Sequence, residues 1–326
     1  MKKYKICKIL LVILAIFLCM AFYELLGICV AYKKQPEVSN TTKKETKNGS
    51  WNECSENTER AVIIEKNPEA LLQRVRLIKN AKKEIILSTF AFQSDESGKL
   101  ILGALHDAAD RGVHIRLLVD GMESWIDMEG NPYFYGLSSH ENVEIKLYNK
   151  ANPLKPWKMM GRMHDKYLIA DGKRYILGGR NTYNYFLGDF PGHKNYDRDV
   201  LVVCDEPEKE NSVNQLLEYF ETIWEQEDSG YFHDNKKLAN RKSVKNAVLE
   251  LQNGYQKYFE ENKERICDTD YTDETFETEK IALVSNPIHT GSKEPVVWYQ
   301  LGELMKNAKN RVKIHTPYII CNDMMY

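Results

Sequence analysis

Apolar positions along this chain follow three patterns in turn. From Ile9 to Tyr32 they run almost unbroken, interrupted by Glu24 and Gly27, and Lys2, Lys3, Lys5 and Lys8 precede them. About 20 such residues cross a bilayer as a helix. The run is longer than a secretory signal's apolar core and lacks a small-x-small cleavage site, which favours a transmembrane anchor over 9–32 behind a basic tail over 1–8. Lysines flank both ends, so charge leaves the orientation open, the short basic tail tipping it towards a cytosolic N-terminus. Residues 33–58 are polar and without periodicity, the pattern of a flexible linker.

From residue 59 the pattern alternates. Leu71, Leu72, Val75 and Ile78 share one helical face, and "EIILSTFAF" follows as a buried strand. Leu100, Leu102, Leu105 and Ala109 mark a second helix, broken at Arg111-Gly112 before the strand "VHIRLLVD". Further strands are "VEIKLYN" and "DVLVVCD", and Val213 to Trp224 is another helix. Helices alternating with strands predict an α/β sandwich around a largely buried sheet. Residues 228–279 are polar and partly helical, and read as a connection between domains. The domain boundaries expected are one complete half over 59–275 and the beginning of a second over 276–326. The second follows from an internal echo: "KNAKKEIILST" (79–89) returns as "KNAKNRVKIHT" (306–316) at a constant offset of 227. Self-similarity at one offset means a duplicated unit.

Composition adds limits. With 43% hydrophobic and 28% charged residues the 326-residue chain can bury a real core. A net charge of −2 gives no sign of a nucleic-acid binder. Seven dispersed cysteines without CxxC spacing argue against a disulfide framework and a structural zinc site.

Candidate chemistry gathers in "MHDKYLIADGKRYILGGRN", residues 163–181. Read as a strand, it puts His164 and Lys166 on one face, with Asp171-Gly172 as a hairpin turn and "KRYILGG" returning. Gly178 and Gly179 would leave main-chain N–H groups open to a phosphate, and Asn181 would open the next helix. An imidazole can attack phosphorus while a lysine and an amide hold the non-bridging oxygens. On physics alone, a solvated strand face explains His164 and Lys166 as well.

The spacing His164-x-Lys166, four residues, Asp171, six residues, Gly178-Gly179-x-Asn181 resembles the HKD signature of the phospholipase D superfamily at every position. "DESGKLILGALHDAADRGVHIRLLVDG" and "VKIHTPYII" also resemble segments of bacterial cardiolipin synthase-like members. The resemblance implies an αβα sandwich with a mixed sheet, built from two halves. It implies transfer without metal or other cofactor, through a phosphohistidine, with a second motif's histidine protonating the leaving alcohol. Carried over by position, His164 is nucleophile or acid, Lys166, Gly179 and Asn181 bind phosphate, and Asp171 supports the motif. Asp199, with Asp197 as rival, is expected to orient the imidazole. Lys155, Lys158 and Arg162 among Trp157, Met159 and Met160 read either as a lip for anionic headgroups or as a plain polar loop.

The first expectation is therefore a membrane-bound phosphatidyltransferase acting on phosphatidylglycerol-like anionic phospholipid, with no nucleic-acid partner. Another phospholipase, a single-motif homodimeric nuclease and an inert half-domain are the competing readings. The chain has no second H-x-K, and the offset puts the missing histidine near position 391, beyond Tyr326. A truncated copy is expected on that ground, its partner motif coming from a missing region or a second chain.

Overall fold

The computed structural model describes residues 2–47, 59–207, 209–233 and 235–314. The described residues fall into two compact units, one within 2–34, 59–283 and 288–292, the other within 35–47, 284–287 and 293–314.

The first unit opens with α1 (Lys2–Ala31). Its stretch Tyr4–Ala31, 28 residues, is long and apolar enough to cross a membrane. At 1.5 Å per residue it measures about 42 Å, against about 30 Å of bilayer hydrocarbon.

The folded body is organised by one sheet. Along the chain come β1 (Glu59–Ile64), α3 (Asn67–Asn80; α2, Asn40–Lys47, belongs to the other unit), β2 (Glu84–Thr89), α4 (Glu96–Asp110) and β3 (His114–Asp120). Then follow α5 (Glu123–Asp127), α6 (Pro132–Ser138), β4 (Val143–Tyr148), β5 (Tyr167–Ala170), β6 (Arg174–Gly178) and β7 (Asp199–Cys204). The body closes with α7 (Ser212–Trp224), β8 (Ser229–Tyr231), α8 (Lys242–Glu261), α9 (Lys263–Cys267) and β9 (Phe276–Glu277). The nine strands lie in the order β8-β4-β3-β2-β5-β6-β7-β1-β9. β2, β3 and β4 are parallel, and all other pairs are antiparallel. The sheet is thus mixed.

Strand alternation divides the core between two faces. Ile85, Leu87, Ile115 and Leu117 meet α3, α4, α6 and α8 on one side. Ile86, Leu118, Ile169 and Val202 meet Val213, Leu216, Phe220 and Trp224 of α7 on the other. Helices on both faces give the α/β sandwich that the alternation predicts.

The polar stretch 228–279 departs from its reading as a connection. Val244, Ala247, Leu251, Tyr255 and Phe259 recur every three or four residues and are buried along one face of α8. Gly103 of α4 lets α8 come close, since a Cβ there would lie 2.7 Å from the Leu251 carbonyl oxygen. This segment is core.

The second unit holds α2 (Asn40–Lys47) and α10 (Val296–Lys306). α2 is ordered helix inside the stretch read as a flexible linker, while 48–58 lie outside the described residues. Glu294 ties the unit together by accepting hydrogen bonds from the Ser39 N–H (2.8 Å) and the Thr42 hydroxyl (2.7 Å). Shifted by 227, the range of α3 falls on 294–307, and α10 occupies 296–306 of it. The echo thus extends from sequence to helix. α3 buries ten residues, whereas α10 buries none. The strand expected at "VKIHTPYII" is irregular over 312–314, and 315–326 lie outside the described residues.

The role of α8 is testable. Leu251→Ala should destabilise the protein by about 2–5 kcal/mol, the usual cost of a core leucine, while Lys257→Ala on the exposed face stays within about 0.5 kcal/mol. Denaturant unfolding of both variants checks this.

Candidate active site

Four backbone elements converge on one end of the sheet. β2, β3 and β4 run parallel and end there, and the chain enters β5 from the same end because Ser88 pairs with Tyr167. The crevice beyond the carboxyl ends of parallel strands is where α/β sheets commonly bind ligands.

His164 and Lys166 lie just before β5, in extended chain outside the strand that the sequence predicts for them. The Gly178 N–H donates to the Lys166 carbonyl at 3.1 Å, which continues the ladder by one residue and fixes Lys166 opposite Gly178. The Lys166 ammonium donates to the His164 carbonyl at 2.6 Å. Phe90, the residue after β2, serves both side chains. Its ring centre lies 4.6 Å from the His164 ring and 5.2 Å from the Lys166 nitrogen. The next residue, Ala91, donates its N–H to the Asn181 side-chain oxygen at 3.2 Å. Asn181 is thereby held beside the same strand end, with the Tyr183 hydroxyl as its other side-chain partner.

Burial sets the protonation of this group. Desolvation, followed by the neighbouring Lys166 charge, holds the His164 imidazole below its ordinary value. The ring is therefore mostly neutral near pH 7, the state a nucleophile requires. Desolvation also pulls Lys166 down to about 8, against the opposing pull of Asp165, Asp197 and Asp120. A bound phosphate would restore that charge.

Two carboxylates occupy the ground beside the paired glycines. A Cβ on Gly178 would lie 2.0 Å from an Asp199 carboxylate oxygen, and one on Gly179 would lie 2.1 Å from an Asp197 oxygen. These carboxylates leave no room for a side chain at either glycine, and the Gly178 and Gly179 N–H groups donate to the carbonyls of Lys166 and Arg198 and do not stand open as the bare cradle for phosphate that the sequence suggests.

Asp199 also departs from its expected part. Its side chain is fully buried between Arg74 (2.9 Å) and Arg180 (3.2 Å), on partners other than the imidazole. Arg180 in turn donates to Asn67 Oδ1 and to the carbonyls of Ile64, Glu65 and Asp197. The pair with Asp199 fixes Arg180, and Arg180 fixes the loop carrying Asn181. Asp197 stays half-buried and close enough to act on the Lys166 charge.

Asp171 is remote from the chemistry. Its carboxylate accepts the N–H groups of Lys82 (2.9 Å), Lys83 (2.7 Å) and Glu84 (3.0 Å), pinning the β5–β6 turn to the start of β2. Asp171 and Gly172 take the left-handed conformation that the turn needs, φ 55° and 62°. Five residues of extended chain, about 16 Å, separate Asp171 from Lys166. Nor does a helix begin at Asn181; residues 183–188 form turns.

Sequence reasoning passed over two residues. Phe90 belongs to the predicted strand "EIILSTFAF", whereas the observed strand ends at Thr89. Asp120, ending β3, accepts the Met163 N–H at 3.0 Å and pairs with Arg162 at 3.1 Å, setting the backbone one residue before His164. A carboxylate at a parallel strand's C-terminal end was its signal.

Asp199→Asn leaves two buried guanidinium groups without their counter-charge. Removing one partner of a buried pair costs about 3–5 kcal/mol, and that loss of stability is expected in denaturant unfolding. Asp197→Asn, half-exposed, should cost less than about 1 kcal/mol. Equal stability of both variants would contradict the buried triad.

Residues 74–224 match the family model described as the cardiolipin synthase, PLD-like domain. An uncharacterized protein of Helicobacter pylori strain J99 is 30% identical over 212 residues, covering 60% of this chain and 39% of its own length. Cardiolipin synthase C of Escherichia coli K12 is 29% identical over 171 residues, covering 48% and 34%. The structure is also similar to Nuc from Salmonella typhimurium, a phospholipase D family member, at 19% identity and a TM-score of 0.39, covering 54% of this chain and 99% of that one. The chain thus spans between about a third and two fifths of the length of the two curated relatives. Residues 74–224 thus form a domain similar to the PLD-like domain of cardiolipin synthases.

Proposed function

We propose that the chain is a membrane-anchored enzyme that transfers phosphatidyl groups between anionic, phosphatidylglycerol-like phospholipids. One observation carries the chemistry: a mostly neutral His164 and a cationic Lys166 share the Phe90 ring, whose neighbour Ala91 holds Asn181. A His164 ring nitrogen attacks phosphorus and forms an N–P bond as the P–O bond to the leaving alcohol breaks. Lys166 and Asn181 hold the non-bridging oxygens as charge shifts onto them. The acceptor alcohol then attacks phosphorus, its proton passes to a base, and the N–P bond breaks to return neutral His164.

The leaving oxygen needs a proton in the first step. A second histidine motif supplies it, from a second copy of the chain or from a second half of which α10 is the counterpart of α3. The length and apolarity of α1 and the cardiolipin synthases among the relatives support the membrane setting and the lipid substrate.

His164→Ala should abolish turnover of phosphatidylglycerol, and Lys166→Ala and Asn181→Ala should each lower it about 10²–10³-fold. Near wild-type turnover by His164→Ala would remove this site from the reaction. Preferred cleavage of single-stranded DNA over lipid would replace the lipid reading with a nuclease.

The pH profile follows from the two titrations. Activity rises as His164 loses its proton below the ordinary imidazole value, and falls as Lys166 loses its charge near pH 8. Because bound phosphate raises the lysine, the alkaline limb of kcat should lie above that of kcat/KM. Coincident limbs would show that Lys166 does not meet the phosphate.

A further inference from the structure

We propose that the pocket beneath the 149–162 loop is a binding site for the headgroup of an anionic lipid, separate from the phosphate site at His164. The inference rests on the reading of α1 as a membrane anchor. The cavity, about 180 Å³, is lined by Lys150, Lys155, Lys158 and Arg162 against Glu227 and Asp228. Four cations face Glu227 and Asp228, and counting the buried Asp120 that pairs with Arg162 still leaves one positive charge, in a chain whose net charge is −2.

Its inner charges are already fixed in place. Lys158 pairs with Asp228 at 2.7 Å, Arg162 with Asp120 at 3.1 Å, and the Lys150 ammonium donates to the Tyr231 carbonyl at 2.7 Å. The Asn149 amide holds the loop closed by donating to the carbonyls of Lys158 (2.7 Å) and Gly161 (2.8 Å). Lys155 is exposed, and among the described residues its ammonium meets no partner. It is the charge left for a ligand.

The setting selects a lipid over a free anion. α1 packs on this loop near its own C-terminal end: a Cβ on Gly27 would lie 2.5 Å from the Pro156 ring, and the Tyr23 hydroxyl donates to the Leu154 carbonyl at 3.2 Å. Tyr23 and Gly27 stand eight and four residues before the end of α1, so the loop meets the anchor within about 12 Å of its C-terminal boundary. The loop there carries exposed apolar side chains, Leu154, Trp157 and Met160, and Trp125 and Ile126, three and four residues after the pocket residue Met122, are exposed as well. Apolar side chains beside a basic pocket suit an interface of acyl chains and anionic headgroups.

The test uses the full chain in dodecylmaltoside with equal phosphatidylglycerol and phosphatidylcholine added, bound lipids being counted by native mass spectrometry. Wild type should retain phosphatidylglycerol in preference, and millimolar inorganic phosphate should not displace it. Lys155→Glu and the milder double variant Lys155→Ala/Lys158→Gln should lower that preference at least about tenfold. His164→Ala should keep it. No preference in wild type, displacement by phosphate, or loss in His164→Ala with retention in Lys155→Glu would each overturn the site. Carbonate washing of cell membranes tests the anchor independently: release of the chain would refute the anchor, while the lipid count still reads the pocket.

Discussion

Arg74, Asp199 and Arg180 meet where no water reaches, and the arrangement of the site depends on that contact. One carboxylate between two guanidinium groups leaves net positive charge in the interior, tolerable only because each arginine also has backbone acceptors. Arg74 donates to the Ala70 carbonyl within α3, and Arg180 to carbonyls on both sides of it. The triad ties α3, the start of β7 and the loop after β6 into one unit. Gly178 and Gly179 are what let the two aspartates approach this closely.

Against that frame the chemistry is local. A partly desolvated imidazole and a partly desolvated lysine sit on one aromatic ring, so each carries its charge less readily than in water. The imidazole is kept mostly neutral, the form that the proposed attack requires. The lysine gains from any arriving phosphate the stabilisation that burial removed, which favours charge developing on the bound group over the empty site.

The sequence made the layers legible because burial on both sheet faces writes long apolar strands, and the Asp171-Gly172 turn because few residues accept its conformation. His164, Lys166 and Asn181 were legible as a spacing and do share one strand end. α8 was obscured by its polar outer face, although the spacing from Val244 to Phe259 was present. The buried triad was hidden for a different reason: its members stand at 74, 180 and 199, and no local pattern links a helix, a loop and a strand start. A carboxylate near a histidine motif suggested a tautomer-fixing partner. Three-dimensional packing gave it to arginine.

A His164 ring nitrogen is the atom proposed to bond to phosphorus. Intact-mass measurement of the full chain, rapidly quenched during turnover of phosphatidylglycerol, reads this directly. It should gain the mass of one phosphatidyl group, mapped to the peptide containing His164, and the gain should vanish in His164→Ala. Turnover with no covalent adduct, or an adduct on another residue, would contradict it.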